Sequence, residues 1–139
     1  MREIDLSNNK IGLAENLNTV MPDLITGGEA LADLLRHPTC PLETLKLSWN
    51  MLRLDGAVDF VSSLRVNKTL TYLDLSYNAL GKEAGIILGD AILDNKTLKH
   101  LILCHNGIQS LACFTLCQGI IENYGLKTVA LVSIGVLVC

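Results

Sequence analysis

Residues 70–81 read LTYLDLSYNALG, and their reading decides the fold. Leu70, Leu73 and Leu75 carry the apolar spacing of a short strand, and Asn78 then puts an amide where another apolar residue would continue it. The stretch recurs. LETLKLSWNML begins at Leu42 and LKHLILCHNGI at Leu98, each 28 residues from Leu70. Asn50, Asn78 and Asn106 keep the same interval. The chain opens on a further copy, MREIDLSNNKI, with Ile4, Leu6 and Asn9 in register. Another start falls at Leu126, LKTVALVSIGV, where Val129 and Leu131 fit and Ile134 stands in the asparagine's place. Self-similarity at this period is the signature of a repeat array.

Between the copies the apolar period changes. In GKEAGIILGDAILDNKT, residues 81–97, Ala84, Leu88, Ala91 and Ile92 fall on one helical face. The matching stretches are LDGAVDFVSSLRVNKT, residues 54–69, and QSLACFTLCQGIIENYG, residues 109–125. Each repeat is therefore a short strand, a turn and a helix, and strands joined by helical crossovers pair in parallel. The fold class is α/β.

The LxxLxLxxN pattern, in four copies in register, resembles the leucine-rich repeat family, and the repeat length with its trailing helix is similar to the ribonuclease-inhibitor-like subtype. The resemblance spans nearly the whole chain. It implies a horseshoe solenoid with a parallel sheet on the concave face and helices on the convex face. It also implies a protein-interaction scaffold that holds a partner on the concave face, since members mostly bind proteins there. Two alternatives come with the family. One is a regulatory repeat segment of a larger protein, such as an NLR-type immune receptor or a ciliary dynein-regulatory protein. The other is a GTPase activator of the Ran type.

Residues 1–139 then form a single domain of about four and a half repeats, with strand starts near 1, 42, 70, 98 and 126. Two places depart from the pattern. Asn9 and Asn50 are 41 residues apart, so an insertion falls near residues 12–23, GLAENLNTVMPD, read as a surface loop with a short turn. At the other end ALVSIGVLVC, residues 130–139, is apolar and no polar capping repeat follows it. That end predicts a fragment or truncated form of a longer array, and self-association through an exposed apolar C-terminal strand.

The asparagine has a structural reading. Where the chain leaves the strand its backbone groups lose their partners, and an inward amide both donates and accepts. Asn9, Asn50, Asn78 and Asn106 are predicted to stack as a ladder. The residues between the leucines face outward and form stripes across the copies. One runs Glu3, Thr44, Tyr72, His100, Thr128. A second runs Asp5, Lys46, Asp74, Ile102, Ala130; its charge is mixed in sign and predicts no simple acidic or basic ligand. The third runs Asn8, Trp49, Tyr77, His105, Ser133. Adjacent strands lie about 4.8 Å apart, so Trp49, Tyr77 and His105 would make a contiguous aromatic edge. Trp and Tyr are the types most enriched at binding hot spots. The candidate partner-binding residues are Trp49, Tyr77, His105, Tyr72, His100, Asp74 and Lys46.

Other functions find little support. A net charge of −3 offers no basic footprint for nucleic acid. No apolar run approaches the roughly 18 residues of a membrane span, and the polar N-terminus carries no secretory core. Five irregularly spaced cysteines read as free thiols in a reducing, cytoplasmic setting. Cys113 and Cys117 take the register places of Ala57 and Gly85, and of Val61 and Gly89, so they read as small hydrophobes rather than metal ligands. Asn67-Lys68-Thr69 and Asn95-Lys96-Thr97 are formal glycosylation acceptors, read here as repeat-spaced helix ends. No nucleophile elbow, phosphate loop or paired-carboxylate constellation appears, so no catalytic residue and no cofactor is assigned.

Overall fold

A computed structural model describes residues 1–19, 21 and 23–132, with the backbone alone for 16–19. Five strands alternate with helices: β1 (Glu3–Asp5), β2 (Thr44–Lys46), β3 (Tyr72–Asp74), β4 (His100–Ile102) and β5 (Thr128–Ala130). Helix α1 (Gly27–Arg36) follows a 3₁₀ segment (Ile11–Thr19); α2 (Leu54–Ser63), α3 (Gly81–Asp94) and α4 (Ser110–Glu122) fill the later intervals. The strands form one parallel sheet in chain order, each pairing residue for residue with the next: Ile4 with Leu45, Leu73 and Leu101, then Val129.

Alternation explains why three-residue strands suffice. Leu45, Leu73 and Leu101 point into the core, as do Leu47, Leu75 and Leu103 just beyond the strands, and all are fully buried. Phe60 and Val61 of α2, Leu88 and Ile92 of α3, and Leu116 of α4 meet them from the helix layer. Among the described residues no helix covers the other face of the sheet, and its side chains are exposed or half-exposed. The architecture is a leucine-rich-repeat solenoid.

Two amide ladders tie the turns together. Asn78 accepts from the Asn50 and Leu52 N–H groups at 3.1 and 3.0 Å, and donates to the Leu47 and Leu75 carbonyls at 2.9 Å each. Asn50 does the same one turn earlier, accepting from Asn9 and Ile11 and donating to Leu6. Asn106 donates to Leu75 and Leu103, but its own oxygen is buried without a partner. The Asn106 backbone carbonyl accepts from the Gly81 N–H at 3.2 Å. The second ladder lies at the helix ends. Asn67 donates to Leu35, Asn95 to Leu64 and Asn123 to Ile92, each reaching the preceding helix. Their oxygens accept from Leu70, Leu98 and Leu126, which start the next copy. Asn67 and Asn95, the formal glycosylation acceptors, are buried in this role, so a glycan there would first break the ladder.

The insertion is more than a loop. Its 3₁₀ segment packs on α1 and α2, and Glu15 is buried between the starts of both helices. One Glu15 oxygen accepts from the Gly28 N–H at 2.9 Å, and the other lies against Gly56, which has no room for a Cβ. A carboxylate there satisfies an orphan amide and opposes the helix dipoles. Residues 20 and 22 of the insertion lie outside the described residues. Close helix approach continues at the far end, where a Cβ on Gly119 of α4 would lie 2.2 Å from the Gly89 carbonyl oxygen of α3.

Candidate functional site

Strands β2 to β4 carry Lys46, Tyr72, Asp74 and His100, and Trp49, Tyr77 and His105 follow in the turns just beyond those strands. Strand register sets two rows across the open face of the sheet: Glu3, Thr44, Tyr72, His100 and Thr128, then Asp5, Lys46, Asp74, Ile102 and Ala130. In the first row the Tyr72 and His100 rings lie 6.1 Å apart and tilted, and His100 Nδ1 meets Thr128 Oγ1 at 2.8 Å.

The third row is a stack. Trp49 and Tyr77 lie with ring centroids 4.2 Å apart and planes 8° from parallel; Tyr77 and His105 lie 4.3 Å apart at 15°. Trp49 is 54% exposed and Tyr77 39%. Asn8 holds the place before Trp49 in the row, so among the described residues the ring stack ends at the indole. Ser133, the row's next member, lies outside the described residues.

The backbone beneath the stack is left-handed. φ is +62° at Asn8, +59° at Trp49, +54° at Tyr77 and +57° at His105. The ladder nevertheless continues through these residues: Asn8 N–H donates to Ser48, Trp49 to Ser76, Tyr77 to Cys104 and His105 to Val132. A non-glycine residue in this region costs about 1–3 kcal/mol. A stacked aromatic pair returns about 0.5–1.5 kcal/mol. Stacking therefore offsets the strain without clearly exceeding it, and an asparagine, as at Asn8, would meet the backbone demand more cheaply.

The charged row is not balanced. Lys46 Nζ donates to Glu3 Oε1 at 3.1 Å, and that contact holds its ammonium above its ordinary pKa. Asp5 and Asp74 instead accept from the Ser7 and Ser76 N–H groups, two residues on. The Ser7 N–H holds the Asp5 carboxyl below the usual carboxylate range, with the Ser7 side chain and Lys46 acting the same way. Among the described residues neither Asp5 nor Asp74 enters an ion pair. Sequence reasoning treated this row as mixed in sign. In the structure the row keeps both signs, with Lys46 hydrogen-bonded across rows to Glu3 and its two aspartates outside any ion pair among the described residues.

No group of three or more His, Cys, Asp or Glu side chains converges as metal ligands among the described residues. Cys113 and Cys117 lie 4.0 Å apart on a half-buried face of α4. Burial pushes the Cys113 thiol up, and Cys117 beside it adds to the shift, which disfavours the reactive thiolate. No helix among the described residues is long and apolar enough to cross a membrane.

Sequence reasoning missed two things here. Left-handed backbone under Trp49, Tyr77 and His105 had one signal, the asparagine at Asn8 in the same register. The Asn123 rung had a plainer one, since it follows Asn95 by the repeat interval.

The strand–helix alternation and the amide ladders are those of a leucine-rich-repeat solenoid. A family model described as Leucine Rich repeat matches residues 66–88. Among solved structures, the chain is similar to leiomodin-1 actin-binding site 2, with a TM-score of 0.72 and 22% identity over 94% of this chain and 70% of that one. At that identity the likeness is one of fold. No curated protein matches the sequence.

Proposed function

We propose that the chain is a non-enzymatic protein-interaction array of the ribonuclease-inhibitor-like kind, residues 1–139 forming one repeat domain that holds a partner protein on the concave face of its sheet. The observation that carries this is the exposed Trp49–Tyr77–His105 stack on left-handed backbone. Strain accepted at an exposed row of rings, where asparagine would serve the fold better, is the usual mark of a functional surface. Trp and Tyr supply large rigid contact area, and the stack holds their rings in place before the partner arrives. Tyr72, His100, Asp74 and Lys46 extend the same face. The 28-residue interval and the full helices supply the support for the subtype. No cofactor enters this reading. The unpaired Cys40, Cys104, Cys113 and Cys117 fit a cytoplasmic setting.

The test is affinity capture with the chain as bait, followed by mass spectrometry. Filamentous actin joins the candidates in a separate co-sedimentation arm, because the structural relative is an actin-binding site. Trp49→Ala with Tyr77→Ala should abolish capture of the partner and leave the far-ultraviolet spectrum native. Equal capture by the double variant would overturn the reading.

A further inference from the structure

We infer that the partner segment received on this face is basic and places an arginine guanidinium on the side of the exposed Trp49 ring away from Tyr77. This rests on the reading of the open face given above and adds the chemistry of its ligand.

The indole is the end ring of the stack, with Tyr77 on one side and Asn8 in the place beyond the other. Tryptophan is the strongest cation–π acceptor, and a planar guanidinium stacks on it where an ammonium only approaches. The strands that lead to the ring carry the complementary sign. Glu3, Asp5 and Asp74 face the same open side as Lys46, and Glu3 already occupies Lys46. Asp5 and Asp74 form no ion pair among the described residues and lie in the strands flanking β2, the strand that leads to Trp49. Two strand spacings put them about 10 Å apart, close enough for two basic side chains of one extended segment to reach both. Each carboxylate is already oriented by a serine N–H, so binding orders little that is loose. An acidic segment or a nucleic-acid backbone would meet three carboxylates against one engaged ammonium. A purely apolar segment would leave those carboxylates to be desolvated unpaired.

Trp49 is the sole tryptophan, so its emission reports occupancy of the ring directly. The probes are hexa-arginine, hexa-lysine and hexa-glutamate peptides. Hexa-arginine should change the emission saturably, and the affinity should weaken by about tenfold or more when salt shortens the Debye length from about 10 Å to 3 Å. Hexa-lysine should bind several-fold more weakly, and hexa-glutamate should leave the emission unchanged. Asp5→Asn with Asp74→Asn keeps the oxygens that accept from Ser7 and Ser76, so the turns survive; it should cost about tenfold in hexa-arginine affinity. Asp55→Asn with Asp90→Asn, the same change of net charge on the helix side, should cost nothing. Binding of hexa-glutamate, equal binding of the two cationic peptides, or equal losses from the two aspartate pairs would each overturn the inference. If hexa-arginine fails while Trp49→Ala with Tyr77→Ala still abolishes capture of the native partner, the face binds a ligand that is not basic. If capture survives the aromatic pair, the reading of the face itself falls.

Discussion

Asn78 and Tyr77 are adjacent and do opposite work. Asn78 satisfies two buried N–H groups and two carbonyls from two turns of the array. Asn78→Ala orphans them, and urea unfolding should show a loss of about 1–3 kcal/mol. An unchanged midpoint would contradict the ladder. Tyr77→Asn removes two ring contacts and relieves a left-handed aromatic residue, two terms of about 1 kcal/mol each and of opposite sign. Its unfolding midpoint should stay close to that of the unchanged chain while partner capture falls. The two substitutions together separate stability from recognition at neighbouring positions. The amide's role was legible in the sequence, because its interval repeats and an inward amide after a strand has one main use. The left-handed tyrosine was not legible, since residue type says nothing of φ once tertiary contacts can meet its cost.

At the scale of the element, helices α1 to α4 are placed by what their ends and flanks touch. Thr26 and Glu29 form a capping box at the start of α1, and Glu15 adds its carboxylate to the Gly28 N–H. Glu15→Ala should lower stability by about 1–3 kcal/mol by leaving that buried N–H unpaired. Glu15→Gln, which retains an acceptor, should recover part of the loss. Thermal melts of both variants check this; equal melting of all three chains would return the insertion to a passive surface loop. Gly119 and Gly89 let α4 lie close on α3. Gly119→Val should cost about 1–3 kcal/mol through overpacking, measurable by the same melts. The helix positions themselves were readable from the apolar period. The service done by the insertion was not, because a short 3₁₀ segment has too few turns to show a period, and burial of Glu15 depends on where two helix starts converge.

At the scale of the molecule, the last described helix differs from those before it. Leu111, Phe114, Ile121 and Tyr124 of α4 and its exit are exposed, and only one residue of α4, Glu122, is charged. An exposed apolar helix face of this kind is a surface on which self-association can be tested. The strand invoked for it is described as β5, Thr128–Ala130, while residues 133–139 lie outside the described residues. Sedimentation over a hundredfold concentration range should find association in the unchanged chain and a monomer after Phe114→Glu with Ile121→Lys. Insensitivity to that pair would place any association elsewhere. The substitution should leave hexa-arginine binding intact, because the open face of the sheet lies on the other layer.

From the sequence alone came the α/β class, the order of strands and helices, the inward leucines and the rows that face outward. These follow from local periods and one repeat interval, and translation by that interval carries each residue onto its neighbour. Only the tertiary structure decided the engagement of Lys46 by Glu3, the left-handed stacking of Trp49, Tyr77 and His105, the orphaned oxygen of Asn106 and the burial of Glu15. Each of these depends on which groups from different repeats meet, and a carboxylate three residues from the N-terminus reaches a lysine in the next strand only once the sheet has formed.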